Sequence, residues 1–156
     1  MSEQLNKDFE VKLLEAFSDE LKQLPEVGLR GGNALDSGCN LLEYDEAHDL
    51  VSDEYFEKYF WGVSYLDSKS WRYYLPQLIH YSLRQFDEAN TVTDALLQSL
   101  RPPDRSPPRL SSLSKLQEEV IIDFLEFLAF NDESAYQEFS CQILDEWWYS
   151  RSLYRT

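Results

Sequence analysis

The sequence predicts an all-α fold: a single-domain bundle of about six helices, with a proline-kinked central helix and two irregular loops. Apolar side chains recur at spacings of three and four residues, the period of amphipathic helices. Aromatic residues make up 15% of the 156 residues, which supplies large side chains for a packed core. Glycine and proline are few and cluster near residues 25–40 and 101–113, where we expect the loops. The length is that of one domain, so residues 1–156 are expected to form a single helical unit.

The first helix is predicted from a single apolar stripe that ends before Pro25, which lacks the backbone N–H that a helix needs. The stripe consists of Leu5, Phe9, Leu13, Phe17, Leu21 and Leu24. Residues 25–40 then hold four of the five glycines. They lack the preceding strand and the following Lys-Ser or Lys-Thr that a phosphate-binding loop requires, so we expect an ordinary surface loop.

Two more helices are predicted before the central one. A short helix over Leu41–Leu50 has Asn40 available as its N-cap. A longer, aromatic-rich helix over Val51–Leu66 is suited to a cap by Ser52 or Asp53, and its apolar residues recur at helical intervals.

The central helix is predicted within Asp67–Phe86, the stretch with the most apolar surface in the chain. Asp67 or Ser68 is suited to cap its N-terminus. Pro76 removes one backbone donor and crowds the carbonyl four residues earlier, so a kink or break is expected near residues 73–75. The core-facing stripe is Trp71, Leu75, Leu78, Ile79, Ser82 and Phe86.

The C-terminal part is predicted to contain three helices and the second loop. A short helix covers Val92–Leu100, and residues 101–112 follow with two Pro-Pro pairs and three arginines, which forbid a helix and favour a surface loop. Ser114 and Gln117 form a capping box that opens a strongly amphipathic helix. The last helix starts near Asp132, and its buried side is marked by Ala135, Phe139, Ile143 and Trp147.

The net charge of −15 is unevenly distributed. Residues 1–60 carry a net charge of −10, residues 61–114 of +1, and residues 115–156 of −6. An acidic protein repels phosphate backbones, so nucleic-acid binding is not expected. The same field attracts a basic protein partner and raises the encounter rate with it, although high acidity also serves solubility alone.

The remaining composition predicts a cytoplasmic protein. Cys39 and Cys141 are the only cysteines and are far apart in sequence, so reduced thiols are expected rather than a disulfide. The first ten residues lack the basic start and apolar run of a signal peptide. No run of 18 apolar residues occurs, so no membrane association through a spanning helix is predicted.

Three stretches resemble a family of small bacterial proteins classed as a domain of unknown function. They are G-x-x-L-x-E-x-D at Gly38–Asp45, SYLDSKSWRYYLP at Ser64–Pro76 and LSKLQEEVIIDFLEFLA at Leu113–Ala129. The resemblance extends from about Leu13 to Trp147 and centres on a motif of the type L-D-x-x-x-[WF]-R-Y-Y-L-P. Lys115 stands where the family often has proline. The resemblance implies a helical architecture and supplies no activity.

One cluster resembles a metal site. Asp45 and His48, three residues apart on the predicted Leu41–Leu50 helix, match the acid-x-x-His pair of carboxylate-bridged metal bundles. Such bundles need a second pair, and the other histidine, His80, has Gln77 at that spacing instead of an acid. A solvated acidic face is the simpler interpretation, so neither a metal nor another cofactor is predicted.

The central motif supplies the candidate ligand-binding cluster, Trp71, Arg72, Tyr73 and Tyr74. Arg72 is an isolated charge within an aromatic surface. A cation in that setting serves a structural ion pair or an aromatic stack, or it anchors a ligand.

The aromatic and basic C-terminus supplies a candidate interface, formed by Trp148, Tyr149, Arg151 and Tyr154. A tail of this composition also folds back over an open edge of a core, and that alternative is the simpler one.

Three functions remain open. The first and favoured one is a protein-interaction module whose acidic surface engages a basic partner, as an immunity protein or antitoxin would. The second is a small-ligand binder or enzyme with its site near Trp71–Pro76. No spacing singles out a pair of catalytic carboxylates, no catalytic residue is predicted, and an enzyme is the less favoured interpretation. The third is a self-associating structural module, and monomer and dimer are both compatible with the sequence.

Overall fold

The computed structural model describes residues 3–149 of the chain, with side chains from residue 6 onward. Within that range every regular element is a helix, which confirms the all-α prediction. The described residues form eight α-helices instead of about six: α1 (Glu3–Ala16), α2 (Ser18–Leu21), α3 (Leu29–Asp36), α4 (Asp53–Tyr59), α5 (Ser68–Arg84), α6 (Thr91–Ser99), α7 (Lys115–Phe130) and α8 (Gln137–Ile143). Short 3₁₀ helices cover Phe60–Tyr65 and Leu110–Ser112, and a π-helical turn, Leu144–Trp148, follows α8 directly. None of the described helices is both long enough and apolar enough to cross a bilayer.

Side-chain caps begin four of these helices. Ser52 caps α4 and Asp67 caps α5, each accepting the N–H three residues further on. Asn90 caps α6 in the same way. Before α7 the capping box is complete, because the Ser114 hydroxyl accepts from the Gln117 N–H and the Gln117 side chain accepts from the Ser114 N–H. Local side-chain chemistry therefore sets where these helices start.

The central helix α5 forms the middle of the core. Its residues Trp71, Tyr74, Leu75, Leu78 and Ile79 are completely enclosed. It packs against α1, α2 and α6. The helix continues on both sides of Pro76, so the predicted break near residues 73–75 does not occur, and the kink stays a prediction.

The segment between residues 25 and 52 differs from the prediction. Helix α3 occupies part of the stretch expected to be a loop, and the helix expected over Leu41–Leu50 is absent. The Asp45 side chain accepts the Ala47 N–H at 3.1 Å, and the Asp45 carbonyl accepts the Asp49 N–H at 2.7 Å. The side-chain bond competes with a helix, whereas the bond to the carbonyl closes a single helical turn that is not continued, so the segment is a turn.

Two predicted helices are each divided. The first is interrupted at Phe17, which is fully buried and adopts a non-helical φ and ψ of −113° and 18°. The helix expected over Val51–Leu66 consists of α4 and the tighter 3₁₀ helix Phe60–Tyr65. A pattern of apolar spacing does not distinguish these related helical geometries.

Gly32 of α3 and Gly62 of the 3₁₀ helix bring two backbones into direct contact. A Cβ added to Gly32 would lie 2.5 Å from the Gly62 carbonyl oxygen, and one added to Gly62 would overlap the Leu29 carbonyl. A helix that contains glycine is intrinsically weak, so α3 depends on this packing. Sequence periodicity could not reveal it.

Asp104 organises the loop of residues 101–113. Its Oδ1 accepts the N–H groups of Arg109 (2.9 Å) and Leu110 (2.8 Å), and its Oδ2 accepts that of Ser111 (2.9 Å). Partial burial opposes ionisation of the carboxyl, but the donors of Ser111, Leu110 and Arg109 outweigh it and lower the pKa of Asp104. The loop is thus folded around one carboxylate.

Replacing Gly32 by alanine is expected to lower the free energy of unfolding by about 1–3 kcal/mol, the usual cost of overpacking. Helix propensity alone would raise it by roughly 1 kcal/mol, so the sign of the change reports the contact with Gly62. Urea denaturation measures it. Gly38→Ala is the comparison, since Gly38 has φ +78° and no atom within 4 Å of an added Cβ, and it tests backbone strain alone. A stabilised Gly32→Ala protein would contradict the contact.

Asp104→Asn is expected to lower the free energy of unfolding by about 1–2 kcal/mol at neutral pH, because charged acceptors form the stronger hydrogen bonds. The folded pKa of Asp104 lies below its unfolded value, so this stabilisation is complete above the unfolded pKa and is lost as pH falls through the folded one. The difference between the two proteins should therefore shrink in acid. Asp132→Asn, at an exposed position, should change little at either pH. A difference for Asp104→Asn that is constant with pH would argue against a contribution from the charge.

Candidate functional site

The longest described segment between helices, residues 37–52, carries the candidate site. It spans 16 residues without a helix or strand. Segments of that length inside compact proteins are usually either disordered or functional. This one, called the 37–52 loop below, is held in place by buried polar contacts.

Asp49 anchors the loop. Its side chain is only 1% exposed. Oδ1 accepts the Tyr55 hydroxyl at 2.6 Å, and Oδ2 accepts Arg30 Nη2 at 3.1 Å and the Asp45 N–H at 2.8 Å. Burying a carboxylate is costly unless its lone pairs are satisfied, and here three donors satisfy them, one of which is the Arg30 cation.

Tyr55 and Arg30 extend the anchor into the body of the protein. The Tyr55 oxygen accepts the Arg30 N–H at 3.2 Å and lies 3.4 Å from the Tyr74 hydroxyl of α5. Arg30 Nη2 also donates to the Glu43 carbonyl at 3.3 Å. One network therefore joins the loop to α3, α4 and α5.

The protonation states of this network match its hydrogen bonds. Burial, with the neighbouring Tyr74 and Asp49, raises the pKa of Tyr55, so its phenol keeps the proton that it donates. Burial works against the charge of Arg30, but the hydrogen bond and the charge of Asp49 raise its pKa. Burial, followed by Tyr73, raises the pKa of Tyr44 on the loop to about 12. The network is thus a neutral phenol beside a compensated ion pair.

The outer face of the loop combines apolar and acidic side chains. Leu41 and Leu42 are exposed, and Leu50 is 74% exposed. Glu43 and Glu46 are exposed on the same segment. Exposed apolar side chains that share one anchored segment with exposed carboxylates are suited to binding another molecule through contact and charge.

The predicted metal candidates contact each other on this loop. His48 Nδ1 lies 2.6 Å from Asp45 Oδ2, and both side chains are largely exposed. The hydrogen bond to His48, together with that from the Ala47 N–H, lowers the pKa of Asp45. Across the described residues, no group of three or more His, Cys, Asp or Glu side chains is placed to hold a metal ion. The other histidine, His80, lies 3.2 Å from Glu10 on α1.

The central motif is divided between core and surface. Trp71 and Tyr74 are fully buried, and Trp71 Nε1 donates to the Ser99 hydroxyl at 3.1 Å. Tyr73 is half-buried with its ring edge against Tyr74. Arg72 is half-buried and donates to the Ser112 hydroxyl at 2.6 Å; no ion pair of Arg72 occurs within residues 6–149. Ligand binding by these four residues stays a prediction, and Arg72 is the member that lines a cavity.

The candidate C-terminal interface is only partly described. Trp148 is buried, and its Nε1 donates to the Leu100 carbonyl at 3.0 Å. Tyr149 is half-buried against the core. Arg151 and Tyr154 lie outside the described residues. Intramolecular packing thus accounts for the aromatic surface of Trp148.

The residues that hold the 37–52 loop were not predicted as a site. Asp49 is one of 29 acidic residues, and its burial has no signature in the sequence. Tyr55 lies within the helix predicted over Val51–Leu66, and helical spacing does not indicate the bond of its hydroxyl. Arg30 is the single arginine within residues 25–40, beside the glycines, and its isolation is the only sequence feature that points to this network. That isolation does not indicate that its partner is Asp49, 19 positions away.

These observations define a small all-helical protein that presents a firmly held, exposed loop. A model of the family described as "Family of unknown function (DUF6714)" matches residues 7–152, which is most of the chain. The chain therefore belongs to this family of unknown function, as the resemblance predicted. No curated protein and no solved structure matches the chain significantly.

Tyr55→Phe is expected to lower the free energy of unfolding by about 1–3 kcal/mol, because it leaves a buried carboxylate oxygen and the Arg30 N–H without their partner. Urea denaturation followed by tryptophan fluorescence measures the change. Tyr65→Phe is the matched control, since the Tyr65 hydroxyl donates to an exposed Asp36 carboxylate at 3.2 Å. That control should change stability by no more than roughly 0.5 kcal/mol. Equal losses in the two variants would contradict the anchoring role of Tyr55.

Proposed function

We propose that this protein is a protein-interaction module, and that the 37–52 loop is the surface that engages a basic partner. The observation that carries the proposal is the combination of buried anchor and exposed face: Asp49 is enclosed, whereas Leu41, Leu42 and Leu50 of the same segment are exposed. A preorganised loop loses little conformational entropy on binding, which is the usual advantage of such a design.

Charge supports the choice of partner. The loop and the residues beside it carry exposed carboxylates, among them Asp36, Glu43 and Glu46. They lie in the part of the chain, residues 1–60, with a net charge of −10. A field of that sign raises the encounter rate with a basic protein and disfavours acidic ones. The exposed leucines would supply the desolvated centre that charges alone do not provide.

The more specific form of the proposal is an immunity- or antitoxin-like protein that neutralises a basic toxin. Small size, high negative charge and a preorganised acidic loop are compatible with that role. The specific form would require the partner to be active when free and inactive in the complex.

The test captures partners from a lysate of the source cell, identifies the basic ones and measures the purified pair by titration. Glu43→Lys with Glu46→Lys should weaken binding by about tenfold or more at low salt, and Leu50→Ser should weaken it with little change in salt dependence. These positions are exposed, so the fold should tolerate the changes.

The matched controls alter the same chemistry elsewhere. Glu133→Lys with Glu138→Lys reverses two exposed charges beside and within α8, and Leu116→Ser removes an exposed leucine of α7. Both should bind within about twofold of the original protein. If charge reversal at either place weakens binding alike, the general field and not the loop is responsible. If the only specific partner is a second copy of this chain, or if no basic partner binds, the proposal fails.

A further inference from the structure

Four cations converge on one cavity at the N-terminus of α5. Lys69, Arg72, Arg105 and Arg109 line a cavity of about 480 Å³, together with a single carboxylate, Asp67. The formal charge of this lining is +3 in a chain whose net charge is −15. A local reversal of sign in a concave site concentrates anions there.

Arg109 is the buried member of this group. It is 3% exposed, and its guanidinium lies 5.8 Å from the centre of the Trp71 ring. Nε donates to the Leu66 carbonyl at 3.1 Å, and Nη2 donates to the Val63 and Leu66 carbonyls at 2.7 and 2.5 Å. Nη1 makes no hydrogen bond with any described residue. A buried arginine is normally paired with a carboxylate, and no carboxylate lies within ion-pair distance of Arg109 among residues 6–149.

The unbalanced charge affects the titration of Arg109. Burial, and next the nearby Arg105, lower the pKa of Arg109 to about 9, while Asp67 and Asp104 oppose that change from a distance. An anion in the cavity would supply the missing counter-charge and remove this cost.

The start of α5 adds further donors. This helix is 17 residues long, and Ser68 and Lys69, its first two residues, line the cavity. The Asp67 cap accepts the Ser70 N–H, so the N–H groups of the first two residues have no helical acceptor. The N-terminal end of a helix favours an anion through these donors and through its dipole.

The backbone that carries these cations is tied together by hydrogen bonds. Asp104 binds the backbone on either side of the turn that carries Arg105 and Arg109. The Ser68 hydroxyl donates to the Pro108 carbonyl, and Arg72 Nη1 donates to the Ser112 hydroxyl, so the loop is tied to α5 at two points. A site whose donors are positioned in advance binds with a smaller entropic cost.

A purely structural role accounts for Arg109 alone. Its bonds to two carbonyls tether the 101–113 loop to the turn before α5. Tethering does not require Lys69 and Arg105, whose side chains are exposed, to line the same cavity. Nor does it explain why the three remaining cations are set against only one carboxylate, which already serves as the helix cap.

We propose that this cavity, formed by the start of α5 and the 101–113 loop, binds a small phosphate-bearing molecule. Guanidinium groups and helix N-termini bind both carboxylates and phosphates, but the four cations of this cavity can contact the several oxygens of a phosphoryl group at once, whereas a carboxylate offers only two oxygens. The volume lies within the range of small-molecule sites and leaves room for an organic group beside the phosphoryl. The surrounding negative field disfavours a long polyanion such as nucleic acid.

The test titrates the full chain with inorganic phosphate and with phenyl phosphate at constant ionic strength, by calorimetry and by NMR. Saturable binding at or below about 1 mM, with shifts at the Ser68 and Lys69 amides and the Trp71 indole N–H, is the expected result. Tighter binding of phenyl phosphate identifies an organic phosphate as the ligand class, and equal binding identifies free phosphate. Either result supports the site.

Variants at exposed positions keep the fold intact. Lys69→Gln with Arg105→Gln should weaken binding roughly tenfold or more, since each removes a charge from the cavity. Lys22→Gln with Lys115→Gln removes two exposed charges elsewhere and should leave the dissociation constant within about twofold. Arg109→Met would remove the hydrogen bonds that tether the loop, so Arg109→Lys is preferred. Lysine keeps the positive charge but lacks the planar donor fork of the guanidinium. Arg109→Lys should therefore weaken phosphate binding, while unfolding stays cooperative.

Four results would overturn the proposal. They are no saturable binding of either phosphate at or below about 1 mM, equal weakening in the cavity and control variants, equal binding of chloride, and tighter binding of benzoate than of phenyl phosphate. The last would assign the cavity to carboxylates instead.

Discussion

The arrangement of the N-terminal half depends on the hydrogen bonds to the buried carboxylate of Asp49. Three donors from separate parts of the chain, the Tyr55 hydroxyl, the Arg30 guanidinium and the Asp45 N–H, meet at its two oxygens. Through them the 37–52 loop is joined to α3 and α4, and through the Tyr55 hydroxyl to Tyr74 of the central helix. A carboxylate buried to this extent is tolerated only when fully satisfied, so all of its partners must be in place together. That requirement gives an irregular segment a single conformation.

A second carboxylate, Asp104, has the corresponding role for the 101–113 loop, and the two loops carry opposite charge. The loop around Asp49 presents carboxylates and leucines to solvent, whereas the loop around Asp104 brings Arg105 and Arg109 beside the start of α5. In each loop a buried or half-buried carboxylate accepts hydrogen bonds that hold the backbone in place. The leucines and carboxylates of the first loop face solvent, and the arginines of the second line the cavity. The two candidate sites adjoin at one point, because Tyr65, which lines the cavity, donates its hydroxyl to Asp36 beside the 37–52 loop.

Much of the fold follows from local patterns. The stripe of apolar residues in α5 is buried as its spacing predicts, and the caps at Ser52, Asp67 and Ser114 lie where side-chain chemistry places them. The candidate sites do not follow in this way. The prediction at Asp45 and His48 concerned residues on a helix that does not form, and the aromatic residues of the central motif are largely core. The sequence marks Arg72 as an isolated charge, but it does not predict that Lys69, Arg105 and Arg109 line the same cavity.

The sequence by itself determined the helical class, the caps at Ser52, Asp67 and Ser114 and the core face of the central helix, because periodicity and capping depend on residues within four positions of one another. It did not determine the start of the last helix, which begins at Gln137 without a side-chain cap and not near Asp132. Only the tertiary structure decided the rest. Helix α3 contains two adjacent glycines, which weaken a helix, and it is stabilised by the contact between the backbones of Gly32 and Gly62. Arg30 meets Asp49 across 19 positions, and Arg109 reaches the Leu66 carbonyl across 43. Contacts of that range leave no period in the sequence. They arise when helix packing brings distant segments together, and at those places this protein has its anchored acidic loop and its basic cavity.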